Sequence, residues 1–140
     1  MAHPPLQLEE SYFDVVNLEA TPEYVPGAEG EPHRHGVEMH LGLATVDESQ
    51  DVWRVSLDIR HKETAGETPR YRFRLRVTGF FRYVAEEKPE PEVAQLVAAN
   101  GASILYSSAR EYLLLLTSRA PWGQLSLPTM SFTDVSLTGE

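Results

Sequence analysis

The sequence predicts an α+β domain: a four-stranded antiparallel sheet with a long helix packed on one face. Two observations predict it. Four segments before Ala85 alternate apolar and polar residues with the period of a half-buried strand. Helical matter comes only after them, in two stretches, Pro89 to Asn100 and Ala102 to Arg119. Strands first and helices later place the helices on one face of an antiparallel sheet rather than between parallel strands.

The 140 residues fit one domain, 1–140, with no repeat and no internal linker. The formal charge is −9 and the pI about 5.0, which argues against general affinity for nucleic acid or membrane surfaces. There is no cysteine, so no disulfide or thiolate zinc site is expected. The start, MAHPPLQLEE, has no basic segment followed by an apolar core, so a cytoplasmic protein is expected.

The first strand is read over Leu6 to Leu18, with Leu6 and Leu8 on one face, an irregularity near Glu10-Ser11, and the inward pattern resuming at Phe13 and Val15. Thr21 to Gly36 holds three prolines and three glycines and is a long connection of the kind that carries function. Val37 to Thr45 follows, with Val37, Met39, Leu41 and Leu43 inward. Val52 to His61 turns Trp53, Val55, Leu57 and Ile59 inward, and the polar Asp47–Gln50 joins the two as a hairpin. Arg70 to Tyr83 places Tyr71, Phe73, Leu75 and Val77 on the core face and Arg70, Arg72, Arg74 and Arg76 on the other. Gly79 suits a bulge or bend, with Phe80-Phe81 breaking the alternation.

Asn100-Gly101 is a stop signal before the main helix, and Ala120-Pro121 ends that helix. Leu105, Ala109, Tyr112, Leu113 and Leu116 form one apolar face. Leu114 and Leu115 add apolar surface on the far side, and burying each is worth about 1.5–3 kcal/mol. The apolar half-helix is too short to span a bilayer, so a sheet on one side and a partner subunit on the other are expected. The expected subunit interface is Leu105, Tyr112, Leu114 and Leu115.

The words of the C-terminal third resemble the SecB family of protein-export chaperones. Ile104, Leu105, Ala109, Arg110 and Glu111 are similar to its I-L-x-x-x-A-R-E helix core, and Ser118-Arg119 to the pair that ends that helix. Gln124, Leu125, Leu127, Pro128 and Phe132 are similar to its Q-L-x-L and P-x-x-F segments, with Leu18-Glu19-Ala20 and Gly79-Phe80-Phe81 as weaker echoes upstream. The resemblance runs from about Leu8 to Val135. It implies a chaperone without ATP, metal or other cofactor, not an enzyme. Such a protein holds unfolded polypeptides or preproteins in apolar grooves, and is usually a homotetramer working in protein export. The expected groove residues are Tyr24, Val25, Phe80, Phe81, Tyr83 and Trp122.

Two features depart from the family. The sequence stops at Leu137-Thr138-Gly139-Glu140, where export members continue into a second helix and a zinc-binding tail that engages the SecA motor. Positions that are acidic in those members, and contribute there to SecA docking, read Arg72 and Arg74, which would repel a basic docking surface. The alternative reading is an oligomeric adaptor, or a SecB-like chaperone of a toxin–antitoxin system, that binds one specific partner.

Other constellations are weaker. His33, His35, Glu38 and His40 contain a His-x-His pair able to meet one metal ion, but no further ligand type completes a set, and surface histidines are expected. Arg70 to Tyr83 interleaves arginine with aromatics, as single-strand binders do. Tyr71 and Phe73, however, face away from the arginine row, so no nucleic-acid partner is expected. Ser107-Ser108 beside Arg110-Glu111 lacks a histidine or an oxyanion motif for nucleophilic chemistry.

Overall fold

The computed structural model describes residues 6–26, 36–46, 51–83 and 90–132. Its elements are β1 (Leu6–Ala20), β2 (Val37–Thr45), β3 (Val52–His61), β4 (Tyr71–Tyr83) and α1 (Glu90–Thr117). The strands make one antiparallel sheet in the order β1-β4-β3-β2, as the α+β reading requires. Strands β2, β3 and β4 follow one another as a meander. Strand β1 crosses over to pair with β4, Leu6 against Tyr83 and Ala20 against Tyr71.

Period-two patterning puts one row of each strand under the helix. Met39, Ile59, Leu75 and Val16 line up across the sheet, as do Leu41, Leu57, Val77 and Phe13. Helix α1 lies on this inner face and buries Val97, Ala98, Ala102, Leu105, Tyr106, Ala109 and Leu113 against it.

The helix runs unbroken through Gly101, where a stop was expected. A Cβ on Gly101 would sit 3.0 Å from the Val55 Cγ2, so this glycine lets the helix backbone approach β3 closely rather than ending it. The Asn100 side-chain amide donates to the Leu96 carbonyl at 3.0 Å, one turn back, and so stays inside the helix.

Gly79 likewise serves close approach rather than a bulge. It pairs regularly with Ser11 on one side and Val55 on the other. A Cβ there would meet the Phe81 ring at 2.8 Å and Leu105 at 2.9 Å. Alternation therefore continues through it, with Phe80 outward and Phe81 inward. The irregularities are in β1, where the register shifts between Leu8 and Glu10 and again between Phe13 and Val15. The second shift, which the alternation did not predict, moves Val15 opposite Arg76 on the outer face and gives the inner row to Val16 and Leu18.

Past the helix, Gly123 takes φ 83°, a left-handed turn suited to glycine, and the chain reverses. The following arm runs back along α1 without regular structure. The Leu125 N–H donates to the Thr117 hydroxyl at 2.9 Å, Arg110 Nε reaches Ser126 Oγ at 3.4 Å, and the Tyr106 hydroxyl donates to the Pro128 carbonyl. Leu125 and Leu127 are buried beneath it.

Candidate functional site

A helix with its side chains is about 10–12 Å across, while the outer strands of a four-stranded sheet lie about 14 Å apart. One helix therefore cannot cover all four inner rows. Helix α1 is centred on β3 and β4, which leaves the inner rows of β1 and β2 partly open. On β1, Leu8 and Val16 are exposed. On β2, Val37, Met39, Leu41 and Leu43 are half-buried against the core. Tyr112 stacks on Phe13 of β1 at 4.7 Å, and the opposite flank of α1, bearing Tyr106, Arg110 and Thr117, carries the arm. That flank faces away from β1, and the partly covered β2 row is the candidate trough.

An aromatic wall is built at the Tyr71 end of the sheet, where β1 ends beside β4. The Tyr71 hydroxyl is wholly buried, donates to the Gly123 carbonyl at 2.7 Å and accepts the Trp122 N–H at 2.9 Å. Arg70 adds a hydrogen bond to the Trp122 carbonyl at 3.2 Å. The indole N–H of Trp122 donates to the Thr21 carbonyl at 3.0 Å, which also accepts the Tyr24 N–H at 3.2 Å. The Tyr24 and Trp122 rings pack 5.5 Å apart, both half-exposed. Sequence-distant residues are thereby fixed as one aromatic wall, with Val25 exposed beside it.

The residues expected to line one groove separate into three places. Tyr24, Val25 and Trp122 come together at the β1–β4 end of the inner face. Phe81 (0% exposed) and Tyr83 (6%) are core residues instead, because the inward row of β4 runs straight through them under α1. Phe80 lies on the outer face, on the opposite side of the sheet, where its ring sits 6.1 Å from that of Tyr12.

The expected interface set divides as well. Leu105 (0% exposed) is a core residue, because it packs over Gly79. Tyr112 is half-buried on Phe13 and Leu114 is half-buried, while Leu115 stands out at 68% exposed. Ile104, Ser107, Glu111 and Leu115 form the outward stripe of the helix.

The outer sheet face is polar and largely ion-paired. Arg74 grips Asp58 with two bonds, 3.2 and 2.7 Å, and Arg60 lies 3.5 Å from the same carboxylate. The hydrogen bond from Arg74 is the main reason the Asp58 carboxyl titrates below its ordinary range, against an opposing effect of burial. Arg72 bridges Glu23 at 3.1 Å and Glu63 at 3.3 Å. Glu63 is also lowered, first by the His61 hydrogen bond at 2.9 Å and then by Arg72. His61 meets the Phe73 backbone through Nδ1, 3.0 Å from the N–H and 3.2 Å from the carbonyl, and turns Nε2 to Glu63. The arginine row expected to be basic is therefore neutralised in part at Arg72 and Arg74, and Arg70 turns to the arm.

His33 and His35 lie outside the described residues. Glu38 and His40 are exposed on the outer face of β2, and among the described residues no group of three metal-ligating side chains occurs. No helix among the described residues is long and apolar enough to cross a membrane. The β2 row escaped notice as surface because periodicity marks a face as inward without saying whether the helix is wide enough to cover it. The edge position of β2 is the missing signal.

A four-stranded antiparallel sheet in this order, with a long helix and a returning arm on one face, is the fold of SecB-like chaperones. The chain superposes on the Mycobacterium tuberculosis Rv1957 SecB-like chaperone, solved in complex with a ChAD peptide from the Rv1956 HigA1 antitoxin, with a TM-score of 0.68. The match covers 90% of this chain and 91% of that one at 18% identity. A protein of unknown function from Streptococcus agalactiae matches over 91% of this chain and 100% of its own at 15% identity, with a TM-score of 0.48. No family model and no curated protein matches the sequence.

Proposed function

We propose that this protein is a non-enzymatic, ATP-independent chaperone that holds extended, apolar polypeptide segments in the trough beside α1. The observation that carries the reading is the half-buried apolar row Val37, Met39, Leu41 and Leu43 of β2 at the margin of α1, with the Tyr24–Trp122 wall at the β1–β4 end of the same face. The apolar row removes the client side chains from water without reading their sequence. The likeness in fold to a chaperone solved with a bound peptide supports the same reading.

The protein works as a homo-oligomer, a dimer or tetramer, in this proposal. The exposed Leu115 and Ile104 on the outward helix stripe support it, with Tyr112 and Leu114 at its margin. Clients are unfolded polypeptides in the cytoplasm, in export or a related pathway. Delivery to SecA is disfavoured because the outer face carries arginines. The fold neighbour's antitoxin peptide favours the second reading, a dedicated partner such as an antitoxin.

Titration of a permanently unfolded, carboxymethylated protein against wild type, Tyr24→Ala and Met39→Glu tests the proposal. Each substitution is expected to weaken holding by about 1–3 kcal/mol. Binding unchanged by both substitutions, or no binding by wild type, ends the trough reading and leaves the dedicated adaptor.

A further inference from the structure

The outer face of the sheet carries a second surface, on the side opposite the trough. Its centre is a low band of small residues, Gly42, Ser56 and Thr78, paired directly across β2, β3 and β4. Ser56 and Thr78 are buried by their taller neighbours, and the Thr78 hydroxyl donates to Asp14 at 2.6 Å, closing the β1 end. One side of the band is Arg54, the cross-strand partner of Phe80; the other is Arg76, the cross-strand partner of Asp58.

Arg54 and Arg76 have no hydrogen-bond or ion-pair partner among the described residues, although Asp58 lies opposite Arg76. That carboxylate is occupied by Arg74 and Arg60, and the Nε of Arg76 is buried with its bonding unmet. Beside them, Tyr12 is 44% exposed and Phe80 half-exposed, paired at 6.1 Å on the same face. Two unpaired guanidiniums next to an uncovered aromatic pair, in a chain of net charge −9, is an arrangement that folding does not require.

We infer that this face docks a short acidic segment of another protein, with carboxylates seated between Arg54 and Arg76 over the Ser56 floor and a neighbouring apolar side chain on Tyr12 and Phe80. Charge complementarity selects the acidic partner, and the small-residue band lets its backbone come close. Single-stranded nucleic acid fits less well. Phosphate tracking needs an extended basic row, and on this face Arg60 and Arg74 are held by Asp58 and Arg72 by Glu23 and Glu63, which leaves only a local pair among the described residues.

The probe is a fluorescent hexapeptide, acetyl-Glu-Leu-Glu-Asp-Leu-Gly-amide, with a control carrying lysine at its acidic positions. Wild type should bind the acidic peptide at low salt, shift the backbone amides of residues 54, 56, 76, 78 and 80 in NMR spectra, and lose affinity as salt rises. Arg54→Gln with Arg76→Gln should weaken binding by about tenfold, and Phe80→Ala should weaken it measurably. Met39→Glu, on the opposite face, should leave it unchanged, which separates this surface from the trough. Equal binding of the lysine control, tighter binding of oligo-dT at the same amides, insensitivity to the arginine pair, or loss of binding in Met39→Glu would each overturn the assignment. The amide shifts in wild type decide the location even if a variant folds poorly.

Discussion

The hydroxyl of Tyr71, on the first residue of β4, holds the backbone of Trp122 from a position wholly inside the protein. It accepts the Trp122 N–H at 2.9 Å and donates to the next carbonyl at 2.7 Å. Removing that oxygen leaves a donor and an acceptor unmet at the point where the arm turns back. Tyr71→Phe is expected to cost about 1–3 kcal/mol and to lower Tm by several degrees in a calorimetric scan. Hydrogen exchange at Trp122 and Gly123 should rise with it; unchanged exchange there would show that the turn holds without the tyrosine.

The two close-approach glycines should respond unequally to alanine. At Gly79 the new Cβ meets Phe81 and Leu105, both wholly buried, at 2.8 and 2.9 Å. Gly79→Ala should therefore destabilise by about 1–3 kcal/mol through overpacking. At Gly101 the contact with Val55 is 3.0 Å, and alanine regains about 0.8–1.0 kcal/mol of helix propensity. Urea unfolding of both variants should show Gly101→Ala closer to wild type; the reverse order would mean that the helix is not seated on β3 as described.

The Asp58–Arg74 pair makes an acid-side prediction. The folded carboxyl titrates below the ordinary 3.8, so its stabilisation is complete above that value and is lost as pH falls through the lower folded one. Asp58→Asn should be less stable than wild type at neutral pH. The gap should narrow as pH drops below about 4. Chemical unfolding at pH 7 and pH 3 measures it, and a gap of constant size would remove the ion pair from the account.

Leu115 tests assembly. With its side chain 68% exposed, Leu115→Glu should leave the fold intact and lower the oligomeric state seen by sedimentation at micromolar concentration. A wild type that sediments as a monomer would end the proposal that this stripe is covered by a second copy.

Much of this was legible in the residues because the local signals were strong. Strands β2 and β3 have the bounds their alternation and turn residues set, Val37–Thr45 and Val52–His61. Continuing the alternation of β4 through Gly79 would have placed Phe81 inside and Phe80 outside; reading the glycine as a bulge hid that. Gly101 misled for a different reason. A glycine that ends a helix and one that seats it look alike in sequence, and only Val55 on another element distinguishes them. The bulge at Asp14 depends on the partner strand, and nothing in the β1 sequence names β4 as that partner. The Tyr24–Trp122 wall joins residues far apart in the chain, and proximity of that kind has no local signal.

The crossover of β1 to the far strand has a consequence for how the protein is made. Strands β2, β3 and β4 can zip up as neighbours while synthesis proceeds, but β1 finds its partner only when β4 has left the ribosome. Until then Leu8, Val15, Val16 and Leu18 travel uncovered, an extended apolar segment waiting for a sheet edge.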